Sequence, residues 1–315
     1  MKSPLTTPRR KASRASERLT LSTPALHLEL APGIGGGVTR FDWNCGQDRI
    51  PLFRAAPESG VSDPTDLACF PLVPFSNRIG RGRFRFDGRD IELAANREDE
   101  RDPIHGTGWQ RAWTIESHDS EHVVLSLDEK GTPYRYRAVQ RFELVDTSLT
   151  VRVSVENRGA ATLPFGIGLH PFLPRTPQTL LLAPAAGVWL AGRDWLPTRH
   201  LRVPSSYGFG VAYPLPARMI NHGFTGWIGR ARVLWPERGL ALDIDTDADQ
   251  YLLYTPRGAD WFCFEPVDHP INAVNLPGGA SAHGMTVLAP GQSFERTFRF
   301  TVDLFGALPV WRAGR

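Results

Sequence analysis

From Leu26 onward the chain consists of short apolar stretches separated by glycine, proline and small polar clusters. Val123-Val124-Leu125-Ser126-Leu127, Tyr134-Arg135-Tyr136-Arg137-Ala138-Val139, Phe142-Glu143-Leu144 and Leu149-Thr150-Val151-Arg152-Val153-Ser154-Val155 read as successive strands, with Asp146-Thr147 and Asn157-Arg158-Gly159 as turns. Strands joined this closely pair antiparallel, as a meander. Phe84, Phe86 and Ile91 alternate about Asp87-Gly88, a hairpin signal. The segments Leu163 to Leu169, Arg232 to Trp235, Leu240 to Thr246, Met285 to Leu288 and Phe294 to Val302 continue the pattern, and no long amphipathic helix is predicted. The chain therefore reads as all-β, a single large antiparallel β-sandwich over residues 23 to 315.

Residues 1 to 22 lack this periodicity. They hold Lys2, Arg9, Arg10, Lys11, Arg14 and Arg18 against Glu17, a balance of +5 in a chain of net charge +3, so the remainder carries −2. A disordered basic extension is the expectation for them, and the body that follows is not basic. Nucleic acid and anionic membranes are thus not expected partners. The three cysteines, Cys45, Cys69 and Cys263, have no C-x-x-C spacing, which predicts buried reduced thiols rather than a disulfide framework or a zinc knuckle. No apolar run reaches membrane-span length and no signal-peptide pattern opens the chain, so a cytoplasmic location is expected.

Chemistry-bearing side chains gather where the β pattern breaks. Trp261-Phe262-Cys263-Phe264-Glu265-Pro266 is an apolar run ended by one carboxylate, and Pro266, lacking an N–H, predicts that the strand stops beside Glu265. Poor solvation there would raise the pKa of Glu265 toward the range of a general base working near neutral pH. Asn77 and Arg78 follow two prolines in Pro71-Leu72-Val73-Pro74-Phe75-Ser76-Asn77-Arg78-Ile79, and their donors and acceptor suit hydroxyl recognition. His105 sits among glycines in His105-Gly106-Thr107-Gly108-Trp109, and His170 precedes Pro171 at a strand end. Gly33-Ile34-Gly35-Gly36-Gly37 lacks the Lys-Ser/Thr of a phosphate loop and reads as a tight turn. His105, His170 and His269 with Glu265 show no metal-ligand spacing, and no G-x-S-x-G elbow occurs, so no metal and no hydrolase triad are predicted.

With Gly168-Leu169-His170-Pro171-Phe172, Asp194-Trp195-Leu196-Pro197-Thr198, Asn272-Ala273-Val274-Asn275 and Leu288-Ala289-Pro290-Gly291 added to these motifs, the chain resembles the aldose 1-epimerase (galactose mutarotase) family over residues 26 to 303. The resemblance implies a β-supersandwich that interconverts the anomers of a free aldose without cofactor or metal. By the same match Glu265 is the general base at the anomeric hydroxyl, and His170 the general acid at the ring oxygen. Asn77, Arg78 and His105 would contact the sugar, and Trp109 or Phe172 would pack on its face. A cationic His170 beside Glu265 would give the two opposite protonation states. Many relatives carry Asp-His-x-Phe where this chain has Asn221-His222-Gly223-Phe224, so Asn221 would grip a sugar hydroxyl without charge. The expected partner is a small-molecule sugar, with the protein a monomer or homodimer. Two alternatives stay open: a hexose-6-phosphate 1-epimerase, with Arg81, Arg83 and Arg111 as phosphate ligands, and a non-catalytic sugar sensor. His269, near Glu265 in sequence, reads as a neutral structural residue.

Overall fold

The computed structural model describes residues 18–61 and 63–304. Its strands pair into two large antiparallel sheets and three small ones. The nine-stranded sheet runs in the order Tyr213–Pro214, Leu180–Leu182, Arg230–Trp235, Leu240–Thr246, Ser293–Leu304, Ser148–Asn157, Tyr136–Val145, His122–Glu129 and Thr114–His118. Its centre is regular: Tyr136–Val145 pairs with Ser148–Asn157 without a shift, from Tyr136 opposite Asn157 to Val145 opposite Ser148. Tyr136, Ala138, Gln140, Phe142 and Leu144 are all buried, the period of two that the sequence shows.

The second sheet follows the path Pro197–Arg202, Gly187–Ala191, Ile220–Thr225, Gln250–Thr255, Trp261–Val267, Gly168–Leu169 and Pro71–Leu72, with Phe172–Pro174 added beside Trp261–Val267. One hydrophobic cluster takes Phe142, Val151 and Phe300 from the first sheet and Leu253, Phe262 and Phe264 from the second, so the main core lies between them as in a β-sandwich. Each such side chain contributes about 1.5–3 kcal/mol relative to exposure. Among the described residues the α-helix content is one turn, Gly279–Ala282, and no helix is long and apolar enough to cross a membrane.

Four expectations need correction. The extension does not reach residue 22: Leu19–Ser22 is a strand paired with Leu26–Ala31, burying Leu19 and Leu21, and four residues are too few for the alternation to stand out. Residues 1 to 17 lie outside the described residues. Leu163 to Leu169 is not one strand but two, Leu163–Phe165 and Gly168–Leu169. The N–H groups between them go elsewhere, Gly166 to the carbonyl of Pro74 at 2.7 Å and Ile167 to Asp268 Oδ2 at 2.8 Å. The strand of Glu265 does not stop there but runs Trp261–Val267. Its ladder to Phe172–Pro174 ends at Cys263 and that to Gly168–Leu169 begins at Val267, and a proline is tolerated in such an interruption. Finally, Cys69 and Cys263 are buried, but Cys45 is exposed.

Candidate active site

The strand Trp261–Val267 separates two environments. Phe262 and Phe264 belong to the inter-sheet core, whereas Cys263 and Val267 join a second, smaller cluster with Phe70, Trp109 and Phe172. Alternation puts Glu265 on the side of that smaller cluster. There it borders a cavity of about 560 Å³. Glu265, His170, Asn77, Arg78, His105, Trp109 and Asn221, which the sequence scatters over nearly two hundred positions, all line this cavity.

At its wall the imidazole Nε2 of His170 stands 3.3 Å from Glu265 Oε1. Both residues are buried, with 8% and 1% of their surface exposed. The His170 ring stacks on Phe70 with centroids 4.5 Å apart and touches Phe172 at 4.7 Å, which fixes its plane. The break in the strand brings it there: the N–H of His170 bonds the carbonyl of Phe70 and that of Phe172 bonds Ala68, so the segment leaves one ladder and joins another. His170 Nδ1 and Glu265 Oε2 have no hydrogen-bond partner. Leaving a buried polar atom unpaired costs about 1–3 kcal/mol, a cost that a polar ligand would remove.

Burial decides the charge state of this pair. It pushes the His170 imidazole down to about 3, reinforced by Arg54, and a backbone hydrogen bond only partly opposes it. Burial also raises the Glu265 carboxyl well above the usual carboxylate range, with Arg78 pulling weakly the other way. Both shifts favour uncharged groups, a carboxylic acid beside a neutral imidazole. A resting cationic His170 is therefore not the arrangement found. Standing 3.3 Å apart, the two groups titrate as a pair rather than as independent sites.

The loop after Pro71–Leu72 is shaped by Asn77, whose φ of 56° lies in the left-handed region that asparagine tolerates. The Asn77 N–H donates to His105 Nδ1 at 3.1 Å, while its carbonyl accepts the His105 N–H at 3.0 Å. His105 Nδ1 is thus an acceptor and its proton sits on Nε2. Burial first, then His170, Arg78 and Arg97, hold His105 well below the usual imidazole range, so it is a neutral donor. Gly106, at φ 64°, lets this loop lie against Val73: a Cβ there would sit 2.5 Å from the Val73 carbonyl oxygen. Arg78 is gripped by both carboxylate oxygens of Glu100.

Trp109 lines the cavity but is only 1% exposed, and its N–H is spent on the carbonyls of Ile104 and Gly106. Asn221, on Ile220–Thr225, makes no side-chain hydrogen bond to another described residue and lines the cavity. His269 does not: it is buried, its Nε2 accepts the Ser76 N–H at 3.1 Å and its Nδ1 donates to the Pro270 carbonyl at 2.9 Å. Burial lowers it to about 4, so it is the neutral structural histidine expected. The proposed phosphate ligands are elsewhere. Arg83 pairs with Glu92 and Arg111 with Glu129, and neither they nor Arg81 line the cavity.

The sequence reading passed over Arg54, Tyr254, Trp261 and Trp195, which also line the cavity. Arg54 lies 3.9 Å above the Phe172 ring and donates to the carbonyls of Thr65 and Leu67 at 2.7 and 3.0 Å. Period two would have reached two of them: Trp261 stands two and four residues before Cys263 and Glu265, and Tyr254 pairs with Cys263. Nothing in the sequence around Arg54 marks it.

The chain is similar to known proteins along most of its length. The uncharacterised protein YphB of Escherichia coli K12 is 38% identical over 294 residues, 90% of this chain and 98% of that protein. A crystal structure of a candidate aldose 1-epimerase from E. coli K12 superposes with a TM-score of 0.85 at 36% identity, covering 92% and 99% of the two chains. The GalM/aldose epimerase homologue from C. elegans, at 15% identity, shares the fold with a TM-score of 0.78 over 93% and 100%. The family model for aldose 1-epimerase matches residues 17–301. With the galactose mutarotase-like fold around a buried carboxyl and imidazole, the chain belongs to the aldose 1-epimerase family.

Proposed function

We propose that this protein is a mutarotase, interconverting the α and β anomers of a free aldose. The observation that carries the reading is the Glu265 and His170 pair, with unmet hydrogen-bonding capacity beside a cavity of sugar size. Ring opening takes a proton from the anomeric hydroxyl and gives one to the ring oxygen. Rotation about C1–C2 and reversal of both transfers produce the other anomer. One proton shared by two groups matches this requirement, because the pair holds the same number of protons before and after each half-reaction. Glu265 accepts from the anomeric hydroxyl and His170 donates to the ring oxygen, starting from the tautomer in which the shared proton has moved to His170. Arg78 favours that tautomer through its pull on the Glu265 charge.

His105 would donate from Nε2, Asn77 and Arg78 would hold further hydroxyls, and Asn221 would offer an uncharged amide. A neutral sugar is favoured over a 6-phosphate, because Arg83 and Arg111 are paired outside the cavity, Arg81 does not line it and Arg78 is engaged by Glu100. A sensor would not need an acid and base pair in contact. The test is optical rotation of freshly dissolved single anomers of neutral hexoses, pentoses and hexose 6-phosphates. Acceleration of the neutral sugars is expected. No acceleration with any of them would reject the enzyme reading, and acceleration of the phosphates alone would replace the substrate class.

A further inference from the structure

One buried residue beside the candidate pair takes no part in the proposed reaction. Cys263 precedes Glu265 by two positions, on the same side of the strand, and pairs across the sheet with Phe172, two residues from His170. One donor atom from each of His170, Cys263 and Glu265 lies within 4.8 Å of the others, and all three residues are buried. We propose that these three side chains form an inhibitory site for a borderline-soft divalent cation, zinc(II) or cobalt(II).

The donor set argues for this class of ion. An imidazole nitrogen, a thiolate and a carboxylate suit zinc and cobalt, whereas calcium and magnesium take oxygen ligands. Bonds of about 2.0–2.1 Å in a tetrahedral site place nitrogen and oxygen ligands about 3.3 Å apart. His170 Nε2 and Glu265 Oε1 are 3.3 Å apart already, rather long for a good hydrogen bond. The second, independent observation is that His170 Nδ1 and Glu265 Oε2 are buried without partners, so both side chains carry unmet polar capacity that points to a ligand. Three protein ligands leave a fourth position, and the cavity that His170 and Glu265 border has room for the water that would fill it.

Binding is a substitution of protons by metal. The Cys263 thiol loses its proton to solvent, as does the carboxyl when it carries one, so the site contributes two negative charges to a dication. Those charges offset the Arg54 and Arg78 guanidinium groups, which act on Cys263 and Glu265 and oppose a cation. The ion occupies lone pairs that both proton transfers require. Its inhibitory effect thus rests on the mutarotase reading, while its binding does not.

The experiment uses the full chain with Cys45→Ser, which removes the exposed thiol. Cobalt(II) is added and the thiolate-to-cobalt charge-transfer band in the near ultraviolet is followed. A band that zinc competes away, and that Cys263→Ala abolishes in a protein of unchanged circular dichroism, is the expected result. In parallel, zinc should inhibit mutarotation, and Cys263→Ala should raise the half-inhibiting concentration by about tenfold or more. Glu265→Gln provides a second variant that keeps the thiol: the band should need about tenfold more cobalt or greater. Absence of the band, its persistence in Cys263→Ala, or equal zinc inhibition with and without Cys263 would each overturn the site. A band in a protein that turns over no sugar would uphold the metal site and reject the function proposed above.

Discussion

The two large sheets are built to different standards. In the nine-stranded sheet, Tyr136–Val145 and Ser148–Asn157 pair along their whole length, and Ser148–Asn157 continues unbroken onto Ser293–Leu304. In the other sheet, Gly168–Leu169 touches Trp261–Val267 through a single pair, Gly168 with Val267, and the neighbouring Phe172–Pro174 starts a new ladder three residues on. Regular ladders satisfy the backbone and leave side chains only two directions, into the core or out to solvent. The broken ladder releases the segment 170–171 from that alternation, and this is how an imidazole comes to lie against a carboxyl inside the protein. Both sheets supply the core, but the candidate site sits only where the second one is broken.

That division predicts opposite consequences for substitutions in the two sheets. The largest effect belongs to Glu265→Gln, which keeps the volume of the side chain but removes its role as proton acceptor. Turnover should fall on the order of 10²-fold or more with sugar binding retained. Near-normal kcat in this variant would show that the broken sheet is not where the chemistry occurs. The converse probe is Phe298→Ala in the regular sheet, where the ring is fully buried. It should cost about 3–5 kcal/mol in denaturant unfolding while kcat per folded molecule holds. A matching loss of kcat would mean the two sheets are not separable in this way.

A smaller effect is expected at Asn221, beside the cavity on a regular strand of the site sheet. Asn221→Asp would convert a neutral hydrogen bond to a charge-assisted one, worth about 1 kcal/mol more, so KM for a sugar presenting that hydroxyl should drop a few-fold. A change in neither KM nor the pH profile for any aldose turned over would place Asn221 outside the binding contacts. The smallest change is expected from pH. His170 must gain a second proton before the pair lacks a base, which happens only as pH falls toward about 3. Glu265 must lose the shared proton before the pair lacks an acid, and burial has raised that point well above the usual carboxylate range. The kcat profile of the enzyme should therefore be flat across mildly acidic pH, and a midpoint at the ordinary imidazole value would show that His170 titrates independently of Glu265.

The regular sheet was legible in the sequence because its signal is local. Phe142, Leu144, Leu149 and Val151 alternate within one hairpin, and the structure pairs Phe142 with Val151 and Leu144 with Leu149. That Glu265, His170, Asn77, Arg78 and His105 would gather at one cavity was legible for a different reason, since they stand where proline or glycine interrupts that signal. Two kinds of information were not there to read. Arg54 reaches the cavity from an irregular stretch, through bonds to Thr65 and Leu67 that follow no period. The charge state of His170 depends on Phe70 and Phe172 excluding water around it, and only the folded protein reveals that enclosure.

The hydrogen bond from Ser76 to His269 joins residues 193 positions apart. Its consequence lies in the order of assembly. The loop bearing Asn77 and Arg78 leaves the ribosome early, but the imidazole that receives the neighbouring N–H is made only after most of the chain. Closing so long a loop is entropically costly, and contacts of this span slow folding. Pro71–Leu72 can pair with Gly168–Leu169 earlier, but the Ser76 N–H has to wait for His269. The candidate site, which also needs Glu265, is therefore among the last parts of this protein that can be completed during synthesis.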